Sequence, residues 1–179
     1  MIITGKYPKL RLRRSRQENW SRRLIEESNL SANDLILPIF ITEGNNKKQK
    51  IKNMPNIYRY SLDKLPKVID RAIKLKIPMV ALFPFIEKKL KDNYGSEAIN
   101  ENNLVCRAIK KIKNKYKNKI GIMCDVALDP YTSHGHDGIL QNGKILNDET
   151  NEMLIKQALL QANMGCDAVS YTHLRAHET

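Results

Sequence analysis

The sequence predicts an α/β protein built on parallel strands, and three observations carry that prediction. Short, largely continuous apolar runs alternate along the chain with segments whose apolar residues fall at helical spacing. The runs lack the in-out alternation of a half-exposed strand, so they read as strands covered on both faces. Each run is followed by a helical segment before the next begins, giving three complete β/α units and the start of a fourth. That number suits a doubly wound sheet or part of a (β/α)8 barrel, since a whole barrel needs ~250 residues and the chain has 179.

Residues 1–34 stand apart from this pattern. Arg11, Arg13, Arg14, Arg16, Arg22 and Arg23 crowd a stretch with few apolar partners, which reads as an extended basic arm with a short helix around Trp20–Ser28. Such a strip grips phosphates or a neighbouring subunit, or is simply a solvated terminus. From Leu35 to Ile41 an apolar run closed by Glu43-Gly44 predicts the first strand. Ser61 is placed to cap a helix carrying Leu62, Leu65, Ile69, Ala72 and Ile73. Met79–Phe83 predicts a second strand stopped by Pro84. Val105, Ala108, Ile109, Ile112 and Tyr116 mark a second helix, whose lysine-rich end suits the helix dipole. Ile120–Val126 is the third strand. After a polar loop, Asn147-Asp148-Glu149 opens a third helix with Met153, Leu154, Ala158, Leu160 and Met164 inward and Gly165 at its end. Asp167–Val169 begins a fourth strand.

Composition narrows the function classes. With 31 Lys and Arg against 19 Asp and Glu the net charge is +12, and heavy use of Lys, Ile and Asn points to codon bias as one source of it. A basic nucleic-acid-binding domain is a remote alternative, because aromatic residues make up only 6% and no binding motif is present. Cys106, Cys124 and Cys166 are odd in number and far apart, so they form neither a disulfide framework nor a zinc clip. The most apolar stretch, Ile77–Ile86, contains two prolines and is far shorter than the ~20 residues of a spanning helix. With no apolar signal core near the start, the chain reads as cytoplasmic, with no membrane and no nucleic acid as partner. No glycine-rich phosphate fingerprint follows a strand.

The reactive side chains concentrate after the third strand, in Asp125-Val-Ala-Leu-Asp129-Pro-Tyr131-Thr-Ser133-His134-Gly-His136-Asp137-Gly138. Parallel α/β folds place their sites at this end of their strands. Gly135 and Gly138 give the loop backbone freedom to bend over a ligand. Buried at a strand end, Asp125 or Asp129 gains a raised pKa and can act as an acid or base. Plainer roles exist for each: Asp125 capping the strand end, His134-Gly-His136 as a surface turn, Asp137-Gly138 as a turn dipeptide. On chemistry alone this is a metal- or carboxylate-assisted site, and another metal- or Schiff-base-dependent barrel enzyme is a standing alternative.

Residues 125–138 resemble the metal-region signature of the 5-aminolevulinate dehydratases, also called porphobilinogen synthases. Supporting pieces are Arg11-Leu-Arg-Arg14, Leu35–Gly44, Met54-Pro55, Ala81-Leu-Phe-Pro84, Glu97-Ala98 with Asn100, and Leu146-Asn-Asp-Glu-Thr150. The likeness runs from about residue 9 to 169. Ile99 departs from the usual aromatic and Asn103 from the common glycine.

The resemblance implies the N-terminal half of a (β/α)8 TIM barrel over 35–170, preceded by the arm. It implies condensation of two 5-aminolevulinate molecules to porphobilinogen, for haem and chlorophyll synthesis, by a homo-octamer whose arms wrap neighbouring subunits. Family members with three cysteines in this loop bind zinc; here those positions are Ala127, Asp129 and Asp137. Carboxylates suit Mg2+ and make zinc unsuited, so the likeness is to the magnesium-responsive branch. In that branch Asp129 and Asp137 are active-site carboxylates and candidate metal ligands, beside Asp125, under a lid that includes Tyr131, Ser133, His134 and His136. The branch's known magnesium site involves residues beyond Thr179. The family's two Schiff-base lysines belong to later strands and have no counterpart here, so this polypeptide alone is expected to be inactive. Residues 171–179, with His173 and His177, do not follow the family pattern and read as adapter sequence.

Overall fold

The computed structural model describes residues 5–10 and 13–171, the last as backbone only. Arg11 of the arm and the tail histidines His173 and His177 lie outside the described residues. The chain divides into two compact units, Met1–Ser31 and Ala32–Thr179.

In the first unit a single 3-10 turn at Arg14–Arg16 leads into α1, Asn19–Leu24, shorter than the helix expected over Trp20–Ser28. Its order comes from local polar contacts, not from a core. The Arg22 guanidinium donates to the carbonyls of Arg16 (3.1 Å) and Gln17 (2.9 Å), and Ser21 Oγ donates to the Glu18 carbonyl at 3.0 Å. Trp20, Leu24 and Leu30 remain exposed.

The second unit is a six-stranded sheet flanked by helices. In chain order its elements are β1 (Ile36–Thr42), β2 (Lys48–Lys50), β3 (Tyr58–Ser61), α2 (Leu65–Lys74), β4 (Met79–Phe85), α3 (Leu104–Tyr116) and β5 (Gly121–Val126). The hairpin strands β6 (Ile139–Gln141) and β7 (Lys144–Leu146) follow, then α4 (Asn147–Asn163) and β8 (Ala168–Tyr171). The sheet order is β2-β3-β1-β4-β5-β8, with β1, β4, β5 and β8 mutually parallel and β2 antiparallel to β3. The β/α alternation read from the sequence is therefore present, with an added β2–β3 edge that pairs only with the last residues of β1.

One core cluster fixes the sheet to α2 and α3. Ile39, Ile41, Val80, Leu82 and Ile122 from the strands meet Leu65, Ile69, Ile109 and Ile112 from the helices, all fully buried. Each such side chain contributes ~1.5–3 kcal/mol relative to exposure. A second, smaller cluster lies at the carboxyl end of the strands: Ile86, Ala98, Val126, Leu128, Tyr131, Ile139 and Leu154. It anchors the loop after β5 between the loop after β4, the hairpin and α4.

Several local readings are corrected. Pro84 does not stop β4: it pairs with Ile41, and the strand runs on to Phe85. It is tolerated because β4 pairs with β5 only over Met79–Leu82, so at Pro84 the missing N–H faces no second ladder. Ser61 does not cap α2, which begins at Leu65 with no side-chain cap. It ends β3, its Oγ accepting from Lys47 N at 2.8 Å and donating to Asp63 at 2.6 Å. In α4 the most buried residues are Thr150, Leu154, Gln157 and Gln161, whereas Met153, Ala158, Leu160 and Met164 are only partly covered. The segment read as a polar loop holds the β6–β7 hairpin, whose Asn142-Gly143 turn has positive φ at both residues, as a two-residue type I′ turn requires.

Candidate active site

The site begins with the end of β5. Beyond Leu82↔Cys124, β5 no longer pairs with β4, so Asp125 and Val126 project past the ladder while β8 still holds them on the other side. Asp125 is half-buried there and its carboxylate accepts from Ser170 Oγ at 2.9 Å. The chain then turns at Asp129-Pro130, with Tyr131 and Thr132 N–H groups both bonded to the Leu128 carbonyl. Asp129 stands at the exposed rim of this turn. Asp137 returns to the same place: its carboxylate accepts the Leu128 N–H at 2.6 Å and ties the far end of the loop to its start.

The three carboxylates form one electrostatic group. Burial is the largest influence on Asp125 and raises its carboxyl above the ordinary range; the Asp137 charge adds to this and the Ser170 hydrogen bond opposes it. Asp129 is exposed as a residue but its carboxyl is partly desolvated, and this leads in raising it, followed by repulsion from Asp137 and Asp125, with a backbone hydrogen bond and Lys91 pulling the other way. Carboxyls held above their usual range can carry or release a proton closer to neutrality, the property general acid–base work needs.

The remaining loop residues take separate places. Tyr131 is buried in the second core cluster, and burial raises its hydroxyl pKa. Ser133, His134 and His136 sit on the outer side. Ser133 N–H bonds to the Asp92 carbonyl at 2.8 Å, Ser133 Oγ to Asn93 Oδ1 at 2.5 Å, and His134 Nε2 lies 3.2 Å from the Asn93 carbonyl. His134 Nδ1 accepts the His136 N–H at 3.1 Å, with the two rings 5.5 Å apart. Gly135 is left-handed at φ +77°, as a bend requires. Gly138 is not; it is glycine because a Cβ would come within 2.8 Å of the Ile145 side chain.

Sequence reasoning missed the partner loop. Asp92 Oδ1 accepts from the N–H groups of Tyr94 (2.9 Å) and Ser96 (3.1 Å), shaping the turn that presents Asn93 to the loop after β5. The signal was there in Asp92-Asn-Tyr-Gly95, an Asx-turn pattern in the loop after β4. It also missed Gln157 and Gln161, whose amide groups reach back to this strand end.

Among the described residues no three His, Cys, Asp or Glu side chains gather to hold a metal ion. Paired carboxylates still fit a hard cation that keeps most of its water and takes one or two protein ligands, the habit of Mg2+. The donor set offers no thiolate, so it does not fit a cysteine-bound zinc.

A parallel sheet with helical crossovers and a polar site beyond its strands' carboxyl ends defines a parallel α/β protein, either a doubly wound sheet or part of a (β/α)8 barrel. The family model described as delta-aminolevulinic acid dehydratase matches residues 9–175, reaching past residue 169 where the resemblance was expected to end. The chain belongs to this family. It is 50% identical over 161 residues to a delta-aminolevulinic acid dehydratase of Bradyrhizobium diazoefficiens, covering 90% of this chain and 45% of the relative. It is 45% identical to one of Chlamydia pneumoniae, covering 89% and 48% respectively. A crystal structure of the Toxoplasma gondii enzyme in complex with its reaction product porphobilinogen superimposes with a TM-score of 0.83 at 35% identity, covering 91% of this chain and 46% of that one. The chain thus spans about half the length of these relatives.

Proposed function

We infer that this chain is the N-terminal portion of a porphobilinogen synthase, a lyase that condenses two 5-aminolevulinate molecules to porphobilinogen in tetrapyrrole synthesis. The single observation that carries the reading is the gathering of Asp125, Asp129 and Asp137 at the end of β5, within a segment matched by the dehydratase family. Asp125 and Asp129, with carboxyls raised above their ordinary range, exchange protons with substrate. Asp137 sets the electrostatic field around them and closes the loop. Tyr131, Ser133, His134 and His136 form a lid, hinged on the buried Tyr131 and latched to Asp92 and Asn93. Asp129 and Asp137 would hold Mg2+, which supplies charge stabilisation at a substrate oxygen when bound.

The amine nucleophiles come from outside this chain, on the later strands of the complete barrel. The basic arm serves a protein partner, a second copy of the chain in an octamer, and the protein works in the cytoplasm. Residues 176–179 lie beyond the family match, and intact-mass measurement of the natural protein checks whether they belong to it. The function itself is tested by grafting residues 9–169 onto the remainder of the 50%-identical relative. The graft is expected to turn 5-aminolevulinate into porphobilinogen. A folded graft with no turnover overturns the reading.

A further inference from the structure

The third helix of the β/α pattern carries an arrangement that packing alone does not explain. Gln157 and Gln161 are buried to 0% and 3% exposure, while Ile155 and Leu159 on the same helix are 58% and 60% exposed. Glutamine is an expensive choice for a core position, because an amide there must satisfy both its N–H and its oxygen. Here only one half is satisfied. Gln157 Nε2 donates to the Ala127 carbonyl at 3.2 Å and Gln161 Nε2 to the Asp125 carbonyl at 3.0 Å, but neither Oε1 has a hydrogen-bond partner among the described residues. Each such buried oxygen is a desolvation penalty, which a leucine or methionine of similar volume would avoid.

The geometry explains what the amides do. Residues four apart on a helix lie on one face, ~6 Å apart along its axis. Carbonyls two apart on an extended strand point the same way and are ~6.5 Å apart. Gln157 and Gln161 therefore match Ala127 and Asp125 in spacing. They match in direction as well, the later glutamine meeting the earlier carbonyl, because α4 runs back along the strand it follows. The two carbonyls belong to the part of the chain that has left its ladder with β4. They flank Val126 and bracket the start of the loop that bears Asp129.

We propose that Gln157 and Gln161 are positioning residues that clamp the backbone of Asp125 and Ala127, and so fix the height and direction of the carboxylates at the end of β5. The clamp deepens the dehydratase reading and rests on it for its purpose, but its test needs no turnover.

The test is hydrogen–deuterium exchange by mass spectrometry on the full chain, each variant compared with the parent at the same pH. Gln161→Met removes the donor and keeps the volume. Exchange in peptides covering 125–129 should rise about ten-fold, while peptides of β1 and β4 stay within about two-fold of the parent. Gln161→Glu supplies the reading that packing cannot imitate. Protonated, its carboxyl donates to the Asp125 carbonyl as the amide does; ionised, it cannot. Protection of 125–129 should match the parent below the glutamate pKa and fall to the methionine level above it. Uniform loss of protection across the whole sheet in Gln161→Met, or protection in Gln161→Glu that ignores pH, would overturn the clamp. Should Gln161→Met not fold, Gln161→Glu at low pH still decides. Because exchange is read without substrate, a failed clamp leaves the dehydratase reading standing, and an inactive graft leaves the clamp standing.

Discussion

Asp125 occupies a place where a carboxylate is held against its own preference, and that has a consequence for stability. Its pKa is raised in the folded chain, so between the unfolded value near ~3.9 and the raised folded value the native state binds more protons than the unfolded one. Stability therefore falls as pH rises through that window and is greatest below it. Asp125→Asn removes the penalty and can still accept from Ser170. The variant should melt higher than the parent at neutral pH and lose that advantage at low pH, as read by thermal melts across pH. An advantage that grows toward low pH would contradict the assignment. A second prediction at this scale concerns the lid latch. Asn93→Ala deletes the acceptor of Ser133 Oγ, so limited proteolysis should cut faster within 132–137 while cutting elsewhere is unchanged. The reactive loop was legible in the sequence because its donors lie within a few consecutive residues. The latch and the clamp were not, since their partners lie 40 and 36 positions away and side-chain pattern carries no sign of which carbonyl a distant amide will meet.

Elements were legible where hydrophobic period was strong and ambiguous where polar residues took structural work. The α3 helix is the clear case. Val105, Ala108, Ile109, Ile112 and Tyr116 fall on its buried face as their spacing predicts. Its cap was not read. Asn103 reads in sequence as a departure from a common glycine, but it is the N-cap, its Oδ1 accepting from Cys106 N at 2.8 Å and its Nδ2 donating to the carbonyls of Glu97 and Ala98. Asn103→Ala should cost ~1–2 kcal/mol by denaturant melt, at the upper end of N-cap losses, because two further bonds go with the cap. Gly at this position would recover only part of the loss. α4 shows the opposite difficulty. Its apolar residues suggested an inward stripe, and Met153, Leu154 and Ala158 do pack on the second cluster, but the helix also turns Gln157 and Gln161 inward toward β5, which a hydrophobic-period argument does not find. The β6–β7 hairpin was a missed opportunity: Asn-Gly between Ile-Leu-Gln and Lys-Ile-Leu is a strong local turn signal.

At the scale of the whole molecule, charge and fold point to different partners, and the fold carries the argument. A net charge of +12 will hold the chain on any polyanion. That retention should be weak, without a defined site size, and should fall steeply as salt is raised, as a double-stranded DNA titration at several salt concentrations would read. The parallel sheet places its carboxylates, Asp125, Asp129 and Asp137, at one end of β5, the end at which parallel α/β folds place their sites. The alternation of β1, β4, β5 and β8 with helices was readable in the sequence and β2 and β3 were not, whereas the choice between a doubly wound sheet and a partial barrel needed the family likeness and the superposition. The central claim is that these carboxylates do chemistry. It is tested most directly in the graft of residues 9–169 onto the remainder of a complete relative, by comparing porphobilinogen formation before and after Asp129→Asn and Asp137→Asn. The account predicts a loss of about 10²–10⁴-fold in kcat for Asp129→Asn, the size of a lost acid–base group, and a loss for Asp137→Asn as well, because it holds the loop and its charge acts on both neighbours, with the fold intact by circular dichroism. Variants that keep full turnover would contradict it.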